Sequence, residues 1–307
     1  MKKLTAILLA ALMLVSMFAF ASCGGNNAAP ADDTAADVAD DAADVADDAA
    51  DDADDDAAVE NTDAADDTAD DAADADSDLA YVLDKGTLIV GITDYAPMNY
   101  YVDGELTGFD TEFALLVAEK LGIAEVEFVE INWATKAAEL ETKNIDCVWN
   151  GMTITDEVEE AMDCSVPYVI NAQVLVMKSD KLADYTTVDS LATLSFVAER
   201  GSAGAQVLVD AGFTPVEVDT QAKALMEVKN GTADACVIDI TMANAMTGEG
   251  TDYADLGYAF ALTEEVYGIG FRTGSDMVDA VNAAIAELKA DGTLAALADK
   301  YALTLAD

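Results

Sequence analysis

From residue 79 onward, apolar runs alternate with amphipathic stretches, and the alternation reads as strand, helix, strand. Leu88-Ile-Val-Gly-Ile92 is a buried-strand run, followed by a turn at Tyr95-Ala-Pro-Met98. Asp110 stands where a helix cap is expected, before a helix with Phe113, Leu116, Val117 and Leu121 on one face and Gly122 at its close. Val126-Glu-Phe-Val129 is a second strand, and Ala137 to Lys143 form a helix leading into a third strand at Asp146. That strand, Cys147 to Trp149, is expected to break at Asn150-Gly151. Beyond the break stand Thr153, Thr155 and a helix whose first turn carries Asp156 and Glu157, as the helix dipole prefers. A strand that hands over to a helix N-terminus leaves backbone N–H groups aimed one way, a seat for an anionic group. In open α/β sheets such seats lie at the carboxyl ends of strands, where small ligands bind.

The pattern echoes itself weakly. Lys143-Asn-Ile-Asp-Cys-Val148 ends a helix and opens a strand, and Lys229-Asn-Gly-Thr-Ala-Asp-Ala-Cys-Val237 does the same. Lys223-Ala-Leu-Met precedes the second as Lys136-Ala-Ala-Glu precedes the first. Two α/β lobes on one βαβ plan fit this better than a single sheet. If the strand ends at Gly151 and Asp239 face a shared cleft, Thr153 and Asp239 hold one ligand between them. Gln173 to Met177 and Glu265 to Phe271 are strands with no helix of their own, so they are the expected pair crossing between lobes. A C-terminal helix (Met277, Val281, Ala284, Ile285, Leu288) and a last one ending near Tyr301 return to the first lobe.

Charge narrows the chemistry. The chain has 61 acidic and 14 basic residues and no histidine, for a net charge of −47. Without histidine there is no Ser-His-Asp or Cys-His catalysis and no imidazole metal ligand, and no zinc spacing occurs. So acidic a chain is unsuited to nucleic acid, whose binding needs a cationic footprint. Neither a cofactor nor a metal is expected. The three cysteines of the body, Cys147, Cys164 and Cys236, are too few and too odd in number for a disulfide framework. Cys147 and Cys164 are the pair that would bond if any did; the simpler reading makes all three small buried apolar residues.

Residues 24–78 hold 22 acidic residues and no basic one, mostly Ala and Asp without an apolar stripe. Such a stretch cannot offset the entropy of ordering, and like charges at i,i+4 oppose a helix, so it is expected to be a coil spanning roughly 40 Å or more. The remaining 39 acidic and 12 basic residues give the body a charge of −27. Before the coil, Lys2-Lys3, an apolar run from Leu4 to Phe20, and Ala21-Ser22-Cys23 read as an export signal rather than a membrane span, because the run ends in small residues and a cysteine.

Two resemblances follow from these residues. The N-terminus resembles a bacterial lipoprotein signal, with Phe20 a departure from its usual aliphatic residue; this implies lipid on Cys23 and an anchor in the membrane. The body resembles the extracytoplasmic solute-binding proteins of polar amino-acid ABC transporters (family 3). The motifs are Gly86-Thr-Leu-Ile-Val-Gly91 with Tyr95-Ala-Pro97, Gly104-Glu-Leu-Thr-Gly-Phe-Asp110, Gly151-Met-Thr-Ile-Thr-Asp-Glu157, Ser165-Val-Pro-Tyr168, Gly201-Ser202, Val237-Ile-Asp239 and Tyr267-Gly-Ile-Gly-Phe-Arg272. The resemblance implies an α/β, two-lobed clamshell of the type II periplasmic-binding-protein kind with two hinge strands. It implies a signal at 1–22, an anchored linker at 23–78, one lobe from 79–172 and 264–307, and the other from 173–263. It implies a monomeric, lipid-anchored receptor, not an enzyme, that carries an amino-acid-like solute to an ABC permease. A sensory module or a dehydratase-like enzyme on the same clamshell are the alternatives.

For the site, the resemblance has Tyr95 pack on the ligand side chain and Thr153, with the backbone of Gly151 and with Ser202, bind an α-carboxylate. Asp239 pairs with the α-ammonium. The family's arginine for the carboxylate is replaced by Val158, so either helix N-termini and Arg200 take over the carboxylate or the ligand lacks one, and Trp149 is expected to wall the pocket.

Overall fold

The computed structural model describes residues 77–307. The expected export signal, the lipidated Cys23 and the acidic coil up to residue 76 lie outside the described residues. Helix α1 (Asp78–Lys85) leads into β1 (Thr87–Ile92), the hairpin β2 (Tyr100–Val102) and β3 (Glu105–Thr107), α2 (Phe109–Leu121) and β4 (Glu125–Glu130). Next come α3 (Lys136–Glu141), β5 (Cys147–Thr153), α4 (Asp156–Ala161), β6 (Asp163–Cys164), β7 (Val169–Asn171) and β8 (Gln173–Lys178). The chain continues with β9 (Phe196–Glu199), α5 (Ala203–Asp210), β10 (Val216–Val218), α6 (Gln221–Asn230), β11 (Ala235–Asp239) and α7 (Ile240–Met246). It ends with β12 (Leu256–Ala261), β13 (Glu265–Phe271), α8 (Met277–Ala290) and α9 (Thr293–Lys300).

Two separate sheets form, in the strand orders β4-β1-β5-β13-β6, with β7 also on β13, and β10-β9-β11-β8-β12. Parallel pairing of β1 with β4 and β5, and of β9 with β10 and β11, gives each sheet a βαβ centre. Central strands β5, β9 and β11 are buried along their whole length, as strands covered on both faces must be, while edge strand β4 turns its glutamates out. The structure is therefore a two-lobed α/β clamshell. The chain crosses from the first sheet to the second between β7 and β8, at Ala172, and returns between β12 and β13. Helices α8 and α9 pack on α2, on the side of the first sheet.

Two local expectations are corrected. Asn150-Gly151 does not end β5, which runs on to Thr153. Gly151 takes a φ of +53°, and the irregular register of β13 against β5 absorbs the distortion without ending the strand. Asp110 does not cap α2. The cap position is Gly108, and the Asp110 carboxylate instead accepts from the Gly151 N–H at 2.6 Å and the Tyr168 hydroxyl at 3.0 Å, bolting α2 to β5. Cys147 and Cys164 are both free, in line with the simpler reading of the body's cysteines, though Cys164 is half-buried where Cys147 and Cys236 are buried. Strand β13 lies between β5 and β6, with Gly270 paired to Val148 on one side and to Cys164 on the other. Two strand spacings of about 4.8 Å exceed what a disulfide can bridge.

Behind the first sheet, Arg272 ties three segments together. Its Nε donates to Asp78 at 2.9 Å and its Nη1 to the carbonyls of Ile145 and Leu140 at 2.8 and 3.2 Å. Asp146, fully buried beside it, takes Lys85 at 2.5 Å and the Ile89 N–H at 2.7 Å. Burial alone would raise the Asp78 carboxyl; hydrogen bonds from Arg272 and Ser275 and the Arg272 charge outweigh it and leave the group below its ordinary value.

Candidate functional site

Strand register brings two carboxylates to one place. Asn171 and Gln173 are two residues apart on the first crossing segment, so they share a face. Asn171 pairs with Glu265 on β13, and Gln173 pairs with Asp239 on β11. Gln173 Nε2 accordingly donates to Asp239 Oδ1 at 2.8 Å and to Glu265 Oε2 at 3.0 Å. Asn171 Nδ2 also donates to both, and Gln221 Nε2 donates to Asp239 Oδ2. Thr153 donates to Glu265 Oε2 at 3.0 Å. Two carboxylates thus sit on the hinge with amide and hydroxyl donors around them and no lysine or arginine paired to either among the described residues. Although Asp239 holds the N-cap position of α7, its side chain makes no capping bond and turns to this cluster instead.

The cluster opens into a cavity of about 630 Å³ between the lobes. Tyr95, Trp133, Lys136, Asn150, Gly151, Thr153 and Val158 line it from the first lobe, and Glu199, Ser202, Gln221 and Asp239 from the second. A larger groove of about 960 Å³ follows α7 and Tyr301–Thr304, but among the described residues its only charged lining ones are Glu264 and Glu265. The smaller cavity gathers strand ends from both sheets and the buried carboxylates, which makes it the candidate site. The lobes touch around it. Lys136 Nζ donates to the Gly201 carbonyl at 3.2 Å, and a Cβ on Gly201 would stand 2.9 Å from Ala134 Cα. At the back, the Tyr95 hydroxyl bonds Thr241 at 2.6 Å and Tyr267 at 2.5 Å.

The site's electrostatics follow from its burial. Asp239, 4 % exposed, has its carboxyl pushed up to about 6 by burial, with the Glu265 charge adding to the rise and the amide donors opposing it. Burial pushes Glu199, 3 % exposed, up to about 8; the Asp239 and Asp219 charges add and Lys136 opposes. Asp110 goes to about 7 by burial, against the bonds from Gly151 and Tyr168. Lys136 is lowered, by burial. Each raised carboxyl is protonated in the native chain over a range where the unfolded chain has lost the proton. Stability is therefore unaffected by them below about pH 4 and falls as pH rises toward 8, each pKa unit being worth about 1.4 kcal/mol. The ligand-free chain is expected to lose a few kcal/mol between pH 5.5 and 8.5. Thermal unfolding across that window, at fixed ionic strength, checks this; a transition temperature that is flat or rises with pH contradicts it.

The expected site residues divide. Tyr95, Gly151, Thr153, Ser202 and Asp239 line the cavity; Trp149 and Arg200 do not. Trp149 is fully buried, edge-on to Phe113 with ring centroids 5.0 Å apart, because it faces α2 and not the cleft. Arg200 is half-exposed, with its Nε on Glu217 at 3.0 Å. The Gly151 N–H is already held by Asp110, so it is not free to donate to a ligand. Tyr95 reaches the cavity, but its hydroxyl is held by Thr241 and Tyr267. Val158 packs in an apolar cluster with Trp133, Val148 and Met152. The residues that were not anticipated are Trp133, Lys136, Glu199, Gln221 and Glu265. Glu199 is an isolated glutamate in the cleft of a kind the sequence did not disclose.

The profile of the bacterial extracellular solute-binding proteins, family 3, matches residues 88–304. The L-cystine-binding protein TcyJ of Escherichia coli (strain K12) is 33 % identical over 226 residues, covering 72 % of this chain and 84 % of TcyJ. The arginine-binding extracellular protein ArtP of Bacillus subtilis (strain 168) is 27 % identical over 223 residues, 71 % of this chain and 86 % of ArtP. Among solved structures, the ancestral amino acid-binding protein AncCDT-1, a precursor of cyclohexadienyl dehydratase, superimposes with a TM-score of 0.67 at 30 % identity, covering 73 % of this chain and 99 % of that one. An ancestral arginine-binding protein bound to arginine gives 0.63 at 31 % identity, covering 70 % and 98 %.

Proposed function

The chain belongs to the bacterial extracellular solute-binding proteins of family 3, and from that premise we propose that it is the receptor of an ABC importer, holding an amino-acid-like solute in the cavity between its lobes. The relatives TcyJ, ArtP and the ABC transporter glutamine-binding protein GlnH are binding proteins, not enzymes. The observation that carries the reading is the Asp239–Glu265 pair on the hinge, ringed by donors and without a paired cation among the described residues. A ligand ammonium seated there touches both lobes through Asp239 and Glu265 at once, so it stabilises the closed form over the open one, as closure requires.

For a carboxylate, Lys136 takes the place expected of Arg200, since among the described residues it is the only cationic one lining the cavity. The Ser202 hydroxyl, which accepts from Ala205 N and keeps its proton free to donate, stands with it. Lipid on Cys23 tethers this monomeric receptor to the outer face of the membrane, within reach of a permease. The test is binding of free amino acids by the full chain, scored as thermal stabilisation; at least one raises the unfolding temperature, and silence across the set contradicts the reading.

A further inference from the structure

We propose that the Glu199 carboxylate is a second cation seat in the cleft, distinct from the Asp239–Glu265 pair, and that the solute this receptor takes carries two cationic groups. The proposal rests on the receptor reading above and adds the charge of the solute to it.

Three observations support it. Glu199 ends β9 at the carboxyl edge of the second sheet, where its side chain lines the cavity. It is 3 % exposed, yet its Oε1 has no hydrogen-bond partner among the described residues. A carboxyl buried for packing alone is normally hydrogen-bonded, because an unpartnered buried acceptor forfeits its hydration without return. One left bare beside a cavity has room for its partner there. The nearby cations do not serve. Lys136 forms no ion pair with it among the described residues; the ammonium lies 4.9 Å over the Trp133 ring and donates to the carbonyls of Trp133 and Gly201. Arg200, the next residue, turns outward to Glu217. Burial holds the proton on Glu199, and the Asp239 charge adds to that. A single ammonium on Asp239 offsets that charge but still leaves Glu199 Oε1 without a partner, whereas a second ligand cation supplies one.

The experiment is calorimetric titration of the full chain and of Glu199→Gln with matched pairs: L-lysine against L-norleucine, and L-arginine against L-citrulline. L-cystine, with two ammonium groups, is a fifth probe. A charge-assisted hydrogen bond corresponds to roughly ten- to a hundredfold in affinity. The expected result is that a doubly cationic probe binds the wild-type chain at least about tenfold more tightly than its singly cationic partner, and that Glu199→Gln removes most of that advantage. For L-cystine the expected result is a loss of the same size in the variant. The wild-type comparison within each pair does not depend on the variant folding. Equal binding within pairs, tighter binding of norleucine or citrulline, or cystine binding that is unchanged by Glu199→Gln would overturn the second seat while leaving the receptor reading intact. Silence from every probe would overturn the second seat, and the receptor reading would then be decided by the full set of amino acids.

Discussion

Replacing Asp239 with alanine is expected to weaken solute binding by about 2–5 kcal/mol, roughly 30- to 5,000-fold in dissociation constant. The size follows from what the carboxylate touches. It accepts from Asn171, Gln173 and Gln221, so its removal leaves the buried Gln221 amide without an acceptor and Asn171 and Gln173 with Glu265 alone, in addition to a ligand cation without a counter-ion. It is also the contact from the second lobe to the hinge cluster, whose other carboxylate, Glu265, belongs to the first sheet. Glu265 alone can still hold an ammonium, but it holds it equally in the open and closed forms, and the drive to close is lost. Titration calorimetry with a solute the wild type binds measures this. An affinity within twofold of wild type would remove Asp239 from the ligand's contacts.

Arg272→Met is expected to cost about 3–5 kcal/mol of folding stability, the penalty for breaking a buried ion pair from one side. Methionine fills the volume but leaves Asp78 without its 2.9 Å partner and frees the carbonyls of Ile145 and Leu140. Asp146 keeps Lys85, so the loss falls mainly on the seam between α1, the end of α3 and β13. For a body of this size the unfolding temperature should drop by roughly 6–20 °C. Solute affinity, measured below that transition, should change little, because the knot is not part of the cavity lining. A drop of under about 2 °C would mean that Arg272 is dispensable and the acids beside it are held by water or by each other.

Much of the fold was legible because apolar runs and turn residues are local signals. The strand at Leu88 to Ile92 and the closing helices lie where the pattern puts them, and the two strands expected to cross between lobes also form, but each lies within one sheet and the chain crosses just before it. The echo around Asp146 and Asp234 also has its counterpart in the parallel strands β5 and β11 at the centre of the two sheets. The site was less legible, for two physical reasons. First, its charged cluster is assembled by register: Asn171 and Glu265 are 94 residues apart, and Gln173 and Asp239 are 66 apart. Nothing near any one of them announces the others. Second, side-chain direction at a strand end follows a period of two, so Glu199 and its neighbour Arg200 point opposite ways. Arg200 adjoins Gly201-Ser202, but that alternation turns it away from the cleft, to Glu217, and turns Glu199 into it. Trp149 is turned away in the same manner on β5, where its face belongs to α2. Trp133 carried no local signal at all, standing in the short 3₁₀ turn before α3.

The measurement that tests the central claim most directly is thermal unfolding of the full chain with single amino acids and, for each that acts, its decarboxylated amine. A solute at about 1,000 times its dissociation constant adds about 4 kcal/mol to stability, an upward shift of several degrees. The account expects at least one amino acid to produce that shift and its amine a smaller one, since Lys136 and Ser202 read the carboxylate while Asp239 and Glu265 read the ammonium. No shift with any amino acid would contradict an amino-acid receptor, and an amine that equals its parent would show that this cleft reads cations alone.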